Sequence, residues 1–201
     1  MNRTKSKEIR NKMKYITVTR AIPKPEGLNK VHPDVLDHAS ERGTKAHAAV
    51  NGYCYSLQNP DAIYWSPPVD EEIQPYFESG KQWIDKYIQT ILYIECEVFH
   101  PLYLYLGHPD LIAILNGDKD PSIIDFKTPI QYQERHWSAQ LAGYKEAALK
   151  DPKIEVYNIE KLLSVRLRTN GKMALVNQVK NEAMALNGFL NALGTYRYFK
   201  T

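Results

Sequence analysis

The sequence predicts an α/β fold in which helices pack on a central mixed β-sheet, and three observations carry that prediction. Apolar and small residues recur in alternating steps of three and four from Asp34 to Leu57. Short β-rich runs broken by turn residues fill 92–128. Helical spacing returns over 134–149, before a further hairpin and a closing helix. Helical segments that enclose a run of strands suit one sheet covered by helices.

Taken in order, 15–22 (YITVTRAI) reads as a short strand and the Pro- and Gly-punctuated stretch after it as a loop. The long helix opening at Asp34 places Leu36, Ala39, Gly43, Ala46, Val50, Tyr53 and Leu57 on one stripe, the face expected in the core. Three prolines make 57–70 a loop, and Asp70 is placed to cap a second helix that runs to Ile91, weakened in its middle by Gly80. From Leu92 the pattern turns to strand: 93–100, 102–115 and 121–128 read as consecutive antiparallel strands, with a turn at Asn116-Gly117-Asp118. In the helix 134–149, Trp137, Leu141, Tyr144 and Ala148 share one side. The run 161–178 reads as a hairpin about a type I′ Asn170-Gly171 turn, and 180–193 as an amphipathic helix.

A chain of 201 residues, 43% hydrophobic and 24% charged, suits a single globular domain that buries a core without staples, and excludes disordered or collagen-like order. Two cysteines, Cys54 and Cys96, are too few for a disulfide framework, so reduced thiols and a cytoplasmic location are expected. No apolar run reaches the roughly 20 residues of a membrane span, and residues 1–14 lack the apolar stretch of a secretory signal. The net charge of +3 is unevenly spread. Residues 1–14 hold six Lys/Arg and one Glu, a local +5, which leaves 15–201 at −2. We therefore read 1–14 as a flexible basic tail able to add non-specific phosphate contacts, and 15–201 as one domain.

Chemistry concentrates in the β-rich half. Strand alternation sends Asp125 and Lys127 to one face and Phe126 to the other, so a carboxylate and an ammonium share a surface. A hairpin about Asn116–Asp118 places Asp110, at the end of Gly107-His108-Pro109-Asp110, opposite roughly residue 126. Upstream, Glu95 and Glu97 have the same strand parity, so alternation cannot choose between them. Several carboxylates beside a lysine repel one another unless a divalent cation sits among them, and oxygen ligation suits Mg²⁺ or Mn²⁺. An Asp-x-Lys triplet by itself is usually a solvated strand face. A second copy, Asp151-Pro152-Lys153, falls in a post-helix turn where its charges read as solvated. His47 sits on or beside the buried stripe and, taken alone, reads as a core histidine. Gln140 and Tyr144 lie one turn apart, with His136 one turn earlier, although packing by itself would account for Tyr144. Fourteen tyrosines, some interleaved with basic residues as in 196–200, suit core packing or stacking on single-strand bases.

Five blocks in order, Arg42-Gly43-Thr44-Lys45-Ala46-His47, Glu95-x-x-Val98, Gly107-x-x-Asp110, Ile124-Asp125-Phe126-Lys127-Thr128 and Gln140-x-x-x-Tyr144, give the chain a family likeness. It resembles the RecB-like, phage-type exonuclease branch of the PD-(D/E)xK nuclease superfamily, which includes the mitochondrial genome maintenance exonuclease. The likeness runs from about Val18 to Tyr144. It implies a restriction-endonuclease-like core and a metal-dependent DNA exonuclease. Such an enzyme hydrolyses phosphodiester bonds from free DNA ends in recombination, repair or phage DNA processing.

By this resemblance Asp110 and Asp125 are ligands of Mg²⁺ or Mn²⁺, the Phe126 carbonyl completes the shell, and His47 reaches the same metal. Lys127 positions or activates the attacking water, and Gln140 and Tyr144 face the site. Glu95 is favoured over Glu97 as the upstream acid, because its fifteen-residue spacing to Asp110 and the E-x-x-V pattern match the exonucleases better. Arg20, Arg42, Thr44 and Thr128 are the expected DNA contacts. The members that carry an iron–sulfur cluster need four cysteines, so no such cluster is expected here. The alternatives are a structure-specific endonuclease and a catalytically inactive DNA-binding module of the same fold.

Overall fold

In the computed structural model, which describes residues 15–61, 69–129 and 132–200, the strand-forming runs sort into two sheets. The elements are β1 (Ile16–Thr17), α1 (Val18–Ala21), a 3₁₀ turn at Leu28–Lys30, α2 (Pro33–Gln58), α3 (Gln74–Tyr87), β2 (Ile88–Ile94) and β3 (Val98–His100). They continue with β4 (Tyr105–Gly107), β5 (Leu111–Leu115), β6 (Ser122–Lys127), α4 (Glu134–Lys150), β7 (Leu162–Arg166), β8 (Leu175–Gln178) and α5 (Glu182–Lys200). The larger sheet has the order β2-β5-β6-β7-β8 and is mixed: β6 and β7 run parallel, joined through α4, and the other neighbours are antiparallel. The smaller has the order β1-β4-β3, with β1 parallel to β4.

The larger sheet is the middle layer. Along β6 and β7, Ile124, Phe126, Leu163 and Val165 enter a core with Ala46, Val50, Trp83 and Ile84 of α2 and α3. The alternate residues Ile123 and Leu162 enter a second core with Leu141, Tyr144 and Ala148 of α4, Phe189 of α5, and Val98 and Tyr105 of the small sheet. The Tyr105 hydroxyl donates to the Gly143 carbonyl at 2.8 Å, which pins the small sheet to α4. Among the described residues, no helix is long and apolar enough to cross a membrane.

Several expectations need correction. The single run 102–115 is two strands in different sheets, because the chain turns at His108-Pro109 and Pro109 has no N–H for a ladder. The run 93–100 is likewise divided, at Glu95, whose φ of 47° takes the backbone out of the extended region. The second helix stops at Tyr87 rather than Ile91, since Ile88-Gln89-Thr90-Ile91 pairs with β5. Only Ile16–Thr17 of 15–22 is strand; Thr17 Oγ1 then accepts from Arg20 N–H and starts one helical turn. In α2 the stripe is buried only from Ala46 onward, joined by Ala49 and Cys54, while Leu57 is exposed.

Asn170-Gly171 does centre the β7–β8 pairing, but φ is positive at Gly171 and not at Asn170, so the turn is not type I′. The closing helix extends to Lys200. Gly80 costs helix propensity yet is required where it stands: a Cβ there would lie 2.8 Å from Val50 Cγ2 and 3.1 Å from Leu167 Cδ2. The basic tail at 1–14 and much of the 57–70 loop lie outside the described residues.

Asp151 overturns its reading as solvated. It is buried at the end of α4, where it accepts the Phe99 N–H at 2.8 Å and the Lys153 N–H at 3.0 Å and ties the helix to β3.

His100 makes a comparable anchor. Its Nδ1 accepts the N–H groups of Leu102 and Tyr103 at 3.2 and 3.0 Å, and its ring stacks on Tyr105, 5.3 Å between centroids. Burial pushes its pKa below the usual imidazole value, against the pull of Glu146, 3.6 Å from Nε2. The folded state thus prefers neutral His100. That contribution to stability is present above the unfolded pKa of about 6.5 and is lost as pH falls through the lowered folded pKa. We expect the stability of wild type, measured by urea unfolding, to decline between pH 7.5 and 5 more steeply than that of His100→Asn, whose amide oxygen accepts the same N–H groups without titrating. Equal slopes would contradict this assignment.

Candidate functional site

Asp110, Asp125, Lys127, His47, Gln140 and Tyr144 meet at the end of the β5–β6 pair. The register Leu111↔Ile124 sets Asp110 across from Asp125, one residue from the expected partner, just past the last ladder pair. Freed from the ladder, the Phe126 N–H is taken by Asp110 Oδ2 at 2.6 Å. Within one strand residue the N–H and C=O point the same way, so the Phe126 carbonyl also lies on the edge beside Asp110.

From the α4 side, Gln140 organises the site. Its Oε1 accepts from Lys127 Nζ at 2.8 Å, and its Nε2 reaches Asp125 Oδ1 at 3.2 Å and the Tyr144 hydroxyl at 2.8 Å. Lys127 Nζ is ion-paired with Asp125 Oδ2 and sits 5.8 Å from the centre of the Trp137 ring. Asp125 is 3% exposed, and its Oδ2 faces the Lys127 ammonium. Burial raises the Asp125 pKa; Lys127 opposes the shift and Asp110 reinforces it. Tyr144 is pushed well above the usual phenol value by burial and then by the Asp125 charge, so it stays a neutral hydroxyl.

From the α2 side, His47 Nδ1 lies 3.1 Å from Asp110 Oδ1. Burial alone would lower the pKa of this half-buried imidazole, but the Asp110 carboxylate, with Asp125 behind it, raises it. One turn further along α2, the buried Asn51 donates through Nδ2 to Glu95 Oε1 at 2.8 Å, while the Glu95 N–H is held by the Asp110 carbonyl at 2.9 Å. The strand parity expected to align Glu95 with Glu97 does not exist, since neither is in a strand: Glu95 turns toward α2 and Glu97 toward His108, 3.9 Å away. Among the described residues, no three His, Cys, Asp or Glu side chains are arranged as a ready ligand set.

The expected DNA contacts do not gather in the same way. Arg42 is held 3.6 Å from Glu72 and stacks on Tyr76, and the exposed Thr44 hydroxyl donates to the Ser40 carbonyl of its own helix at 3.1 Å. Arg20 lies on α1, stacked over Tyr196 of α5. Thr128 stands beside Gly43, where a Cβ would meet its Oγ1 at 3.4 Å, an ordinary contact. Asn51 and Trp137 were not picked out as site residues. Asn51 was findable in principle as His47 plus four on one helical face, whereas Trp137 read only as part of the apolar side of α4.

No protein-family model matches the chain, and no curated protein matches it either.

The glycine of the Gly107-x-x-Asp110 block has a physical reason. A Cβ at 107 would lie 2.5 Å from Tyr144 Cδ1 and 3.2 Å from Val98 Cγ2, and the buried ring has nowhere to go. Gly107→Ala should therefore destabilise the chain by about 1–3 kcal/mol in urea unfolding. Gly43→Ala, in open helix with only ordinary contact, should be neutral or stabilising by up to about 1 kcal/mol. The reverse ranking would refute this packing account.

Proposed function

We propose that the chain is a metal-dependent DNA exonuclease with a restriction-endonuclease-like core, acting on free DNA ends in recombination, repair or phage DNA processing. The observation that carries this reading is the buried Asp125–Lys127 pair, bridged by Gln140 and set against Asp110 and His47 at one end of the larger sheet. The preference for free ends rests on the likeness of the five sequence blocks to phage-type exonucleases.

The donor chemistry fits a hard divalent cation: two buried carboxylates, a strand-edge carbonyl and one imidazole. Asp125 Oδ2 is buried and faces one ammonium, which leaves it acceptor capacity for such an ion. His47 Nδ1 and Asp110 Oδ1, 3.1 Å apart, have about the separation of neighbouring ligands at ~2.1 Å in octahedral geometry. Asp110, Asp125, the Phe126 carbonyl and His47 are the groups that would hold Mg²⁺ or Mn²⁺. The ion, when bound, supplies Lewis-acid polarisation of the phosphate and a more acidic water.

The side chains account for the rest. Of the three N–H donors of Lys127, two are spent on Gln140 and Asp125. The third is left to orient an attacking water and to favour its anionic form. Gln140 fixes the ammonium in place, and Tyr144, held neutral, keeps a hydroxyl proton to offer a phosphate oxygen. Hydrolysis then needs no covalent intermediate.

End-labelled single- and double-stranded DNA incubated with Mg²⁺ or Mn²⁺, beside a circular single strand, tests the proposal. Linear substrates should be shortened from their ends and the circle spared; cleavage of the circle at the same rate would favour an endonuclease. Asp110→Ala and Lys127→Ala should each cut the rate by at least about 10²–10³-fold with an unchanged far-ultraviolet circular dichroism spectrum. Loss of Lys127 is tolerated structurally because buried Asp125 can take up a proton. His47→Ala should weaken activity more in Mg²⁺ than in Mn²⁺, or abolish both. Full activity in the Asp110 or Lys127 variant would sink the assignment.

A further inference from the structure

Beyond Lys127, the same face of the sheet continues as a basic row that the proposed chemistry does not use. Lys127 is the ladder partner of Arg166 across the parallel β6–β7 pair, so their side chains project from one face about 4.8 Å apart along the sheet. At the end of β7, Arg166 and, two residues on, Arg168 line a groove of about 190 Å³ with Pro129, Thr169, Asn170 and Leu175. Pro129 is two residues from Lys127, so the groove opens directly beside the acid-and-lysine cluster.

The groove is built for an anion. No carboxylate lines it, and Arg168 is in none of the ion pairs among the described residues. Its polar lining residues are Arg166, Arg168, Thr169 and Asn170, whose guanidinium, hydroxyl and amide groups are the kinds of donor that recognise phosphate oxygens. The backbone of Arg168 is fixed: its N–H is held by the buried Ser79 hydroxyl at 2.9 Å, and its carbonyl accepts from Gly171 at 3.3 Å. The alternation of Val165 and Leu167 into the core is what forces Arg166 outward on the opposite face.

We infer that this groove is a phosphate subsite for the DNA strand being cut, seating a backbone phosphate next to the one that reaches Lys127, with Arg168 and Arg166 as its ligands. The inference rests on the nuclease reading above and extends it by assigning where the strand runs. A phosphate bound there would hold the strand in line without touching the reacting atoms, so its loss is read in binding.

Binding of a fluorescein-labelled 20-nucleotide single strand to the full chain, followed by anisotropy in EDTA over a KCl series, separates this from catalysis. Arg168→Gln should weaken binding several-fold and reduce the magnitude of the log K against log salt slope by about 0.7, the value for one phosphate contact on a single strand. Arg166→Gln should act in the same direction. Lys172→Gln, at the exposed hairpin tip and outside the groove, serves as the control and should change neither quantity. Wild-type affinity and slope in a folded Arg168→Gln variant would overturn the subsite while leaving end-dependent cleavage by the wild type intact. A wild type that neither binds nor cuts DNA would remove both readings.

Discussion

Everything near the site depends on one costly arrangement: a carboxylate and an ammonium, two residues apart on a central strand, enclosed together inside the sheet-helix sandwich. Taking both charges from water costs several kcal/mol per ion, and apolar side chains at Asp125 and Lys127 would serve the fold at least as well. The surroundings are arranged to lower that cost. Gln140 donates to one partner and accepts from the other, Tyr144 completes the chain of hydrogen bonds, and Trp137 gives the ammonium an aromatic face. Asp110 is satisfied by a backbone N–H that the ladder leaves over. Asp125 Oδ2 is met by the Lys127 ammonium and keeps lone-pair capacity that a bound cation would use.

The breaks in the chain create this enclosure. If 93–100 and 102–115 were continuous strands, Asp110 would sit inside a ladder and its carboxylate would project from one face only. Instead the chain leaves the small sheet at Gly107, turns at Pro109 and enters the larger sheet at Leu111. Asp110 therefore falls at the seam, within reach of α2 through His47 and of β6 through Phe126. The left-handed Glu95 does the same work on the neighbouring segment, turning its carboxylate to Asn51. Gly107 lets Tyr144 lie against the seam, so helix and sheet meet there without a gap.

What could be read from the residues alone follows the same division. The α/β class, the long first helix, the α4 stripe and the β5–β6 register were legible because each rests on local periodicity or a turn signal. The separation into two sheets was not, because nothing in a short β-rich run says which neighbour it will find, and partners are chosen by tertiary packing. The cluster of Asp110, Asp125, Lys127, His47, Gln140 and Tyr144 was legible residue by residue through the family likeness, and the folded chain brings all six together. Parity could not separate Glu95 from Glu97, because the positive φ of Glu95 ends the strand and leaves both outside it. Asp151 was misread because proximity to proline suggested an exposed turn, while its carboxylate is the acceptor that ends α4 and holds β3.

Formal charge is a poor guide to the potential near the site, and the ion pairs show why. The described domain carries more acids than bases, yet Glu72, Asp85, Asp118 and Glu182 are each engaged by Arg42, Lys81, Lys161 and Lys145 respectively. Those acids and bases cancel where they stand and contribute little at a distance. Beside the site, the charges without such partners decide the sign. Asp125 already faces Lys127, while Arg168 stands at the rim with no carboxylate in its groove. The groove's lining thus holds guanidinium groups and no carboxylate, although the body of the chain carries net negative charge.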